Sequence, residues 1–277
     1  MSPSENPIIA SLSNPTVKRL VKMRDNRFRR KSGHLIVDGW RETFKAIHAG
    51  LELSGVYTTA ESTTDAEDIA AVMDQARQQG VLRPVSEPVM QKIGYGESHR
   101  GVVAEFIQPD WHLDALKLSE NPFLLVLDQI EKPGNLGAVF RCADAVGVDA
   151  IVVCDGRTDL FNPNVIRSSL GTVFSVAAAS CELNECASFL SRNNIRPVAA
   201  RVESSSSFWQ TDLLGSIAVV LGNEANGLEN RWLELPGGDP VAAVQIPMFG
   251  QADSLNISVS AALLAYEVRR QRREFAG

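Results

Sequence analysis

At 277 residues, with 44% hydrophobic and 22% charged residues and a mean hydropathy of -0.05, the chain has the bulk character of a soluble globular enzyme and room for two domains. No apolar run approaches the roughly 20 residues of a spanning helix, and Met1-Ser2-Pro3-Ser4-Glu5 lacks the regions of a signal peptide, so the cytoplasm is the expected compartment. A net charge of -6 argues against indiscriminate coating of nucleic acid; Cys142, Cys154, Cys181 and Cys186 form no CxxC pair, so reduced, mostly buried thiols and no metal are expected.

In chain order, a basic helix is predicted over 16–24, within a cluster of Lys18, Arg19, Lys22, Arg24, Arg27, Arg29, Arg30 and Lys31 that Asp25 alone interrupts among the acids. The cluster is either a phosphate-binding face or the solvated side of an amphipathic helix whose apolar side is Val17, Leu20, Val21 and Phe28. A strand at 34–37, a helix at 40–48, a strand at 55–58, an acidic helix at 65–79, a stretch punctuated by Pro84 and Pro88, and a strand at 102–107 complete a small α/β unit. Residues 108–122 are polar with two prolines and read as a linker, giving domains 1–115 and 116–277. Beyond it, apolar runs at 123–127, 150–153, 173–178, 196–200, 217–221 and 244–246 alternate with helical segments, the pattern of a mainly parallel sheet covered by helices. A last helix over 255–274 carries Arg269, Arg270, Arg272 and Arg273 at its end, where they complement its dipole.

Three segments fall at strand ends, where open α/β sheets gather ligands. After Asp128 and the Pro133-Gly134 turn, Asn135 is a natural N-cap, and Arg141 nearly two turns later can point to the mouth of the sheet. An arginine there takes a phosphate or a developing oxyanion, or is an ordinary surface residue. The strand ending at Leu221 runs into a loop bounded by Gly222 and Gly227, whose backbone can approach a ligand closely. After Ile246-Pro247-Met248, Ser254 and Asn256 either cap the last helix or meet a ligand.

The order Asn135-x-Gly137-x-x-x-Arg141, Gly222-Asn223-Glu224-x-x-Gly227, and Ile246-Pro247-Met248 with Ser254-Leu255-Asn256-Ile257-Ser258-Val259 resembles the three motifs of the SpoU (TrmH) RNA methyltransferases of the SPOUT superfamily, over about residues 122 to 270. The resemblance implies an α/β domain with a deep trefoil knot holding S-adenosylmethionine, a homodimer joined at the knot, and an RNA ribose 2'-hydroxyl as acceptor. It implies cofactor contacts at Gly222, Ile246 and Leu255, with Leu221, Asn223 and Met248 nearby. Catalytic or substrate-positioning roles fall on Asn135, Arg141, Glu224, Ser254 and Asn256. The stretch 162–171 is similar to a family loop on the RNA side, with Arg167 and Ser168 as its candidates beside Lys18, Arg19, Lys22, Arg27, Arg29 and Arg30. Gly33-His34-Leu35-Ile36-Val37-Asp38-Gly39 makes the N-terminal unit similar to a ribosomal-protein-like RNA-recognition domain, which favours ribosomal over transfer RNA.

The family role of Arg141 is to activate the 2'-hydroxyl, yet a guanidinium holds its proton tightly, so stabilising the alkoxide or orienting a phosphate is the easier chemistry. The competing reading is a knotted RNA-binding protein without transfer. A dinucleotide oxidoreductase is excluded because no G-x-G-x-x-G follows a strand.

Overall fold

The structure is a computed structural model that describes residues 7–59, 67–96, 99–204, 206–223, 225–235 and 238–274. It divides into two compact units: residues 1–110 with 161–175, and residues 111–160 with 176–277.

The first unit begins with α1 (Pro15–Lys22), whose Asn14 cap accepts from the Thr16 amide, and α2 (Asn26–Ser32), capped by Asp25, which accepts from the Phe28 amide at 2.9 Å. The helix predicted over 16–24 is α1, and the rest of the basic cluster forms a second short helix, because Asp25 finds its amide partner in a new first turn. Then follow β1 (His34–Asp38), α3 (Trp40–His48), β2 (Leu53–Thr58), α4 (Glu67–Gln78), β3 (Leu82–Pro84), α5 (Glu87–Ile93) and β4 (Val102–Ile107). The strands form one sheet in the order β1-β4-β2-β3, with Ala104 of β4 facing Val37 on one side and Val56 on the other. Val17, Leu20 and Met23 pack with Ile36, Tyr57, Val89 and Met90. At about 1.5–3 kcal/mol for each fully buried aliphatic side chain, this apolar side alone justifies α1 as a structural element.

The second unit opens with β5 (Phe123–Asp128), α6 (Pro133–Val146) and β6 (Ala150–Cys154). Leu113 and its partly buried neighbours Leu116 and Leu118 pack on the second core, which moves the boundary from the expected 115 to between Asp110 and Trp111. Pro133 opens α6, so Asn135 is its third residue and not its cap. Gly147, in the left-handed region at φ 72, ends α6 by donating to the Ala143 carbonyl.

The chain then leaves this unit for α7 (Pro163–Ser168) and a 3-10 turn (Thr172–Phe174), both in the first unit. A strand is expected over 173–178, but Val173 and Phe174 are buried within that turn, and β7 (Ala177–Cys181) starts only afterwards. The second unit continues through α8 (Leu183–Arg192), β8 (Arg196–Ala200), β9 (Ile217–Leu221), β10 (Ala242–Val244) and α9 (Ile257–Glu274). Its sheet runs β10-β8-β9-β5-β6-β7, every pairing parallel. Strands such as β5, β6 and β9 are buried along their length, which is why they read as unbroken apolar runs. After β9 the chain turns back to lay β10 outside β8, so the loops that leave β8, β9 and β10 all start at the carboxyl end of the sheet.

Two of the arginines of α9 serve other elements. Arg269 donates from Nε to the Val146 carbonyl at 2.6 Å, at the end of α6, and Arg272 to the carbonyls of Asn121, Pro122 and Gly215. Arg270 pairs with Glu267 at 2.6 Å. They are hydrogen-bonding anchors first and dipole partners second. Among the described residues, no helix is long and apolar enough to cross a membrane.

Candidate functional site

Where the loops after β8, β9 and β10 meet the start of α9, they enclose a cavity of about 380 Å³. All six candidate cofactor residues, Leu221, Gly222, Asn223, Ile246, Met248 and Leu255, line it, as does Ser254. Glu224 lies outside the described residues.

The cavity is shaped by backbone. A Cβ on Gly222 would overlap the main chain of Gly227 and Leu228, so only glycine lets the loop fold back against its own strand. Asn223 and Gly227 exchange both of their main-chain hydrogen bonds, at 3.0 and 2.9 Å. The Asn223 side chain accepts from the Ala225 amide at 2.7 Å and donates to the Gln129 carbonyl at 3.0 Å. Its side-chain amide and its main chain therefore both hold the loop in shape.

Two arginines that the sequence reading missed brace this loop. Arg231 donates to both carboxylate oxygens of buried Asp128, at 2.7 and 2.8 Å, and to Asp155. Those bonds, with Asp128 foremost, push its pKa above the ordinary guanidinium value. Arg201, nearly buried, donates to the Glu229 carbonyl at 2.7 Å and to the Arg231 carbonyl. The one cue in the sequence was an aspartate ending a wholly apolar strand; its partner stands 103 residues away.

The cavity fits S-adenosylmethionine. Its volume lies in the range of small-molecule sites, apolar Leu221, Leu228, Val244 and Ile246 suit an adenosine, and Glu203, Glu229 and Asp253 place acids on the lining, complementary to the sulfonium and ammonium charges. The Glu203 carboxyl is held below its usual range by a hydrogen bond from its own amide and by Arg201, against the cost of burial.

Asn135, Arg141 and Asn256 are not on the lining. Asn256 caps α9: its Oδ1 accepts from the Ser258 amide at 2.9 Å and from the Ser258 hydroxyl at 2.7 Å, and its carbonyl accepts from Val259 and Ser260. Its Nδ2 donates to Asn135 Oδ1 at 3.1 Å, joining the first motif to the third across 121 residues of chain. Arg141 is exposed on α6 and has no hydrogen bond or ion pair with any described residue.

In the first unit, Lys18, Lys22, Arg27 and Arg30 are exposed. Arg29 is a correction to the phosphate-binding set, since it is 1% exposed and donates inward to the Met23 and Arg24 carbonyls at 2.7 and 2.9 Å. Arg19 is largely engaged as well, bonded through both Nη atoms to Glu105, a carboxylate that is 2% exposed. Burial raises the pKa of Glu105, but Arg19 and His34 outweigh it and hold the carboxyl below its usual range. Arg167 is half-buried and donates to the Tyr95 carbonyl, and the Ser168 hydroxyl donates to the Asn164 carbonyl at 2.6 Å.

An all-parallel sheet with a backbone-walled cavity at its carboxyl end, and a first motif hydrogen-bonded to the third, match the site that the resemblance implies, and the family match and named relatives give the class: an S-adenosylmethionine-dependent RNA ribose 2'-O-methyltransferase. The chain belongs to the SpoU rRNA Methylase family, whose model matches residues 122–266; residues 14–104 match an MRM3-like substrate binding domain. It is 30% identical over 212 residues to the 23S rRNA (guanosine-2'-O-)-methyltransferase RlmB of Xanthomonas axonopodis pv. citri, covering 74% of this chain and 84% of that one. It is 32% identical over 158 residues to the 23S rRNA (guanosine(2553)-2'-O)-methyltransferase RlmP of Bacillus subtilis, covering 57% of this chain and 62% of that protein. A crystal structure described as an RNA 2'-O ribose methyltransferase superposes with a TM-score of 0.80 at 35% identity, over 96% of this chain and 99% of the other.

Proposed function

We propose that this chain methylates the ribose 2'-hydroxyl of a guanosine in large-subunit ribosomal RNA, acting in the cytoplasm as a homodimer. The observation that carries the active-site assignment is the Asn256–Asn135 hydrogen bond, which ties the cavity loop to the helix bearing unengaged Arg141. The choice of RNA is supported by the RlmB and RlmP relatives, whose names specify guanosines of 23S rRNA.

S-adenosylmethionine supplies a methyl group already activated on a sulfonium. The protein's task is to align the acceptor and handle its proton. Leu221, Ile246 and Met248 would hold the apolar part of the cofactor and Gly222 and Leu255 would offer it backbone groups, since all five line the cavity. The Arg141 guanidinium donates to the alkoxide as it forms, or holds the adjoining phosphate; the hydroxyl proton passes to a phosphate oxygen of the substrate or to solvent. Asn135 and Asn256 fix the distance between the arginine's helix and the cavity. Lys18, Lys22, Arg27 and Arg30 supply an exposed cationic surface for RNA.

Dimerisation is supported by apolar residues left uncovered on one side of α9: Val259 at 46%, Leu263 at 40% and Tyr266 at 56% exposed. Val259→Arg with Leu263→Arg should convert a dimer to a monomer by light scattering, and a wild-type protein already monomeric at micromolar concentration would remove the homodimer.

The direct test incubates the protein with labelled S-adenosylmethionine and RNA from a strain lacking the gene, then maps 2'-O-methylated nucleotides. One labelled guanosine in 23S rRNA is expected. Label confined to transfer RNA would overturn the target, and no label despite bound cofactor would favour a knotted RNA-binding protein.

A further inference from the structure

Three of the four cysteines, scattered in sequence, converge in the second unit away from the cofactor cavity. Cys154 ends β6, Cys181 ends the neighbouring β7 and is its direct ladder partner, and Cys186 lies in the first turn of α8. Their sulfurs all lie within 4.8 Å of one another, and the Cys154 and Cys181 sulfurs are 3.9 Å apart. Cys142, on α6, stands outside the group.

That spacing has a chemical meaning. A disulfide would need the sulfurs about 2 Å apart. Sulfurs bound to one ion at about 2.3 Å stand roughly 3.8–4.0 Å from each other. The Cys154–Cys181 edge already has that length, and the third sulfur lies within 4.8 Å of both, close enough for one ion to draw the three together. Cys154 and Cys186 are buried and Cys181 is half-buried, so one side of the triangle is open to an entering ion and to a solvent ligand.

We infer that Cys154, Cys181 and Cys186 form a binding site for a thiophilic d10 cation, with three sulfur ligands and an open fourth position. The donor set is wholly soft, which selects such ions over magnesium, calcium or manganese. A divalent ion is favoured on charge, because three thiolates with Zn(II) leave one net negative charge and with Cu(I) two, next to Asp155, Glu185 and Asp128. Metal binding as thiolates displaces the thiol protons into solvent: Zn(II) with three thiols gives a tris-thiolate complex and three protons.

The test uses the reduced, full-length protein stripped with a chelator. Zn(II) is titrated against a chromophoric competitor, Cu(I) is titrated separately, and Co(II) serves as the optical probe. One Zn(II) per chain, release of protons on binding, and a near-ultraviolet thiolate-to-Co(II) band are expected. Cys181→Ser, at the half-buried corner, should weaken binding at least tenfold and diminish the band, and Cys142→Ser should leave both unchanged. One Cu(I) per chain without Zn(II) binding would support the site and identify the monovalent ion. The inference is overturned if neither ion binds at one equivalent, if Cys142→Ser weakens binding as much as Cys181→Ser, or if mild oxidation joins Cys154 to Cys181 while the reduced protein takes up no metal. None of these measurements depends on methyl transfer.

Discussion

The cofactor cavity of the second unit and the basic helices of the first are built from opposite materials. The cavity is walled by main chain folded back at Gly222, and the side chains around it, Asn223, Arg201 and Arg231, are spent on holding that main chain. The basic surface is made of long side chains on two short helices, each free to face in or out. Main chain that must approach a ligand restricts residue identity, so the cavity leaves a motif in the sequence. Positive charge restricts little: Arg29 and Arg30 are adjacent and look alike, yet one is buried and the other exposed.

The largest effect expected from this contrast is at Arg141, a motif residue whose side chain is unengaged. Arg141→Ala should lower methyl transfer about 100- to 1000-fold and leave cofactor affinity unchanged by calorimetry. Wild-type turnover would take Arg141 out of the mechanism. Gly222→Ala should do the reverse, weakening cofactor binding about a hundredfold, or ~3 kcal/mol, because the new Cβ meets main chain that cannot move aside. An unchanged affinity would mean the loop is softer than its backbone packing indicates.

In the first unit the sharpest probe is Glu105→Gln, which should cost about 3 kcal/mol in chemical denaturation by leaving Arg19 and His34 against a neutral, buried partner. The folded carboxyl titrates below the unfolded one, so its contribution is complete above the ordinary carboxylate range and fades as pH falls through the lowered value. The wild type should therefore lose stability faster than the variant on acidification, and parallel acid limbs would contradict this. Replacing Lys18, Lys22, Arg27 and Arg30 with glutamine should flatten the salt dependence of RNA binding by up to about 0.9 log units for each phosphate no longer neutralised. Arg29→Met should leave that slope alone and show its effect in stability. The smallest effect is at Asn256→Ala, about 1 kcal/mol for removal of a helix cap. A larger loss of transfer than of stability would show that its bond to Asn135 positions the site.

The parallel sheet was legible because β5, β6 and β9 are apolar along their whole length, and the cofactor side of the site because close backbone approach demands Gly222. The knot was accessible only through resemblance, since periodicity is blind to how loops thread. Residues 173–178 misled because an apolar run signals burial, not strand geometry: Val173 and Phe174 are buried in a turn that begins at Gly171, φ 79. The Asp128–Arg231–Asp155 network joins residues far apart in the chain, and nothing local announces it. The cysteine cluster was hidden for the same reason, its members meeting only once β6 and β7 pair.

The passage of residues 161–175 into the first unit makes the covalent plan of the molecule differ from its linear map. Cutting the gene between Asp110 and Trp111 would not free a self-sufficient recognition module, because α7 and the turn after it, with buried Val165, Ile166, Val173 and Phe174, would remain on the other fragment. Grafting the recognition unit of one family member onto the catalytic unit of another therefore calls for two inserts, the N-terminal segment and this fifteen-residue piece. Recombination that moves only the first would produce a chimaera with the hole already in its core.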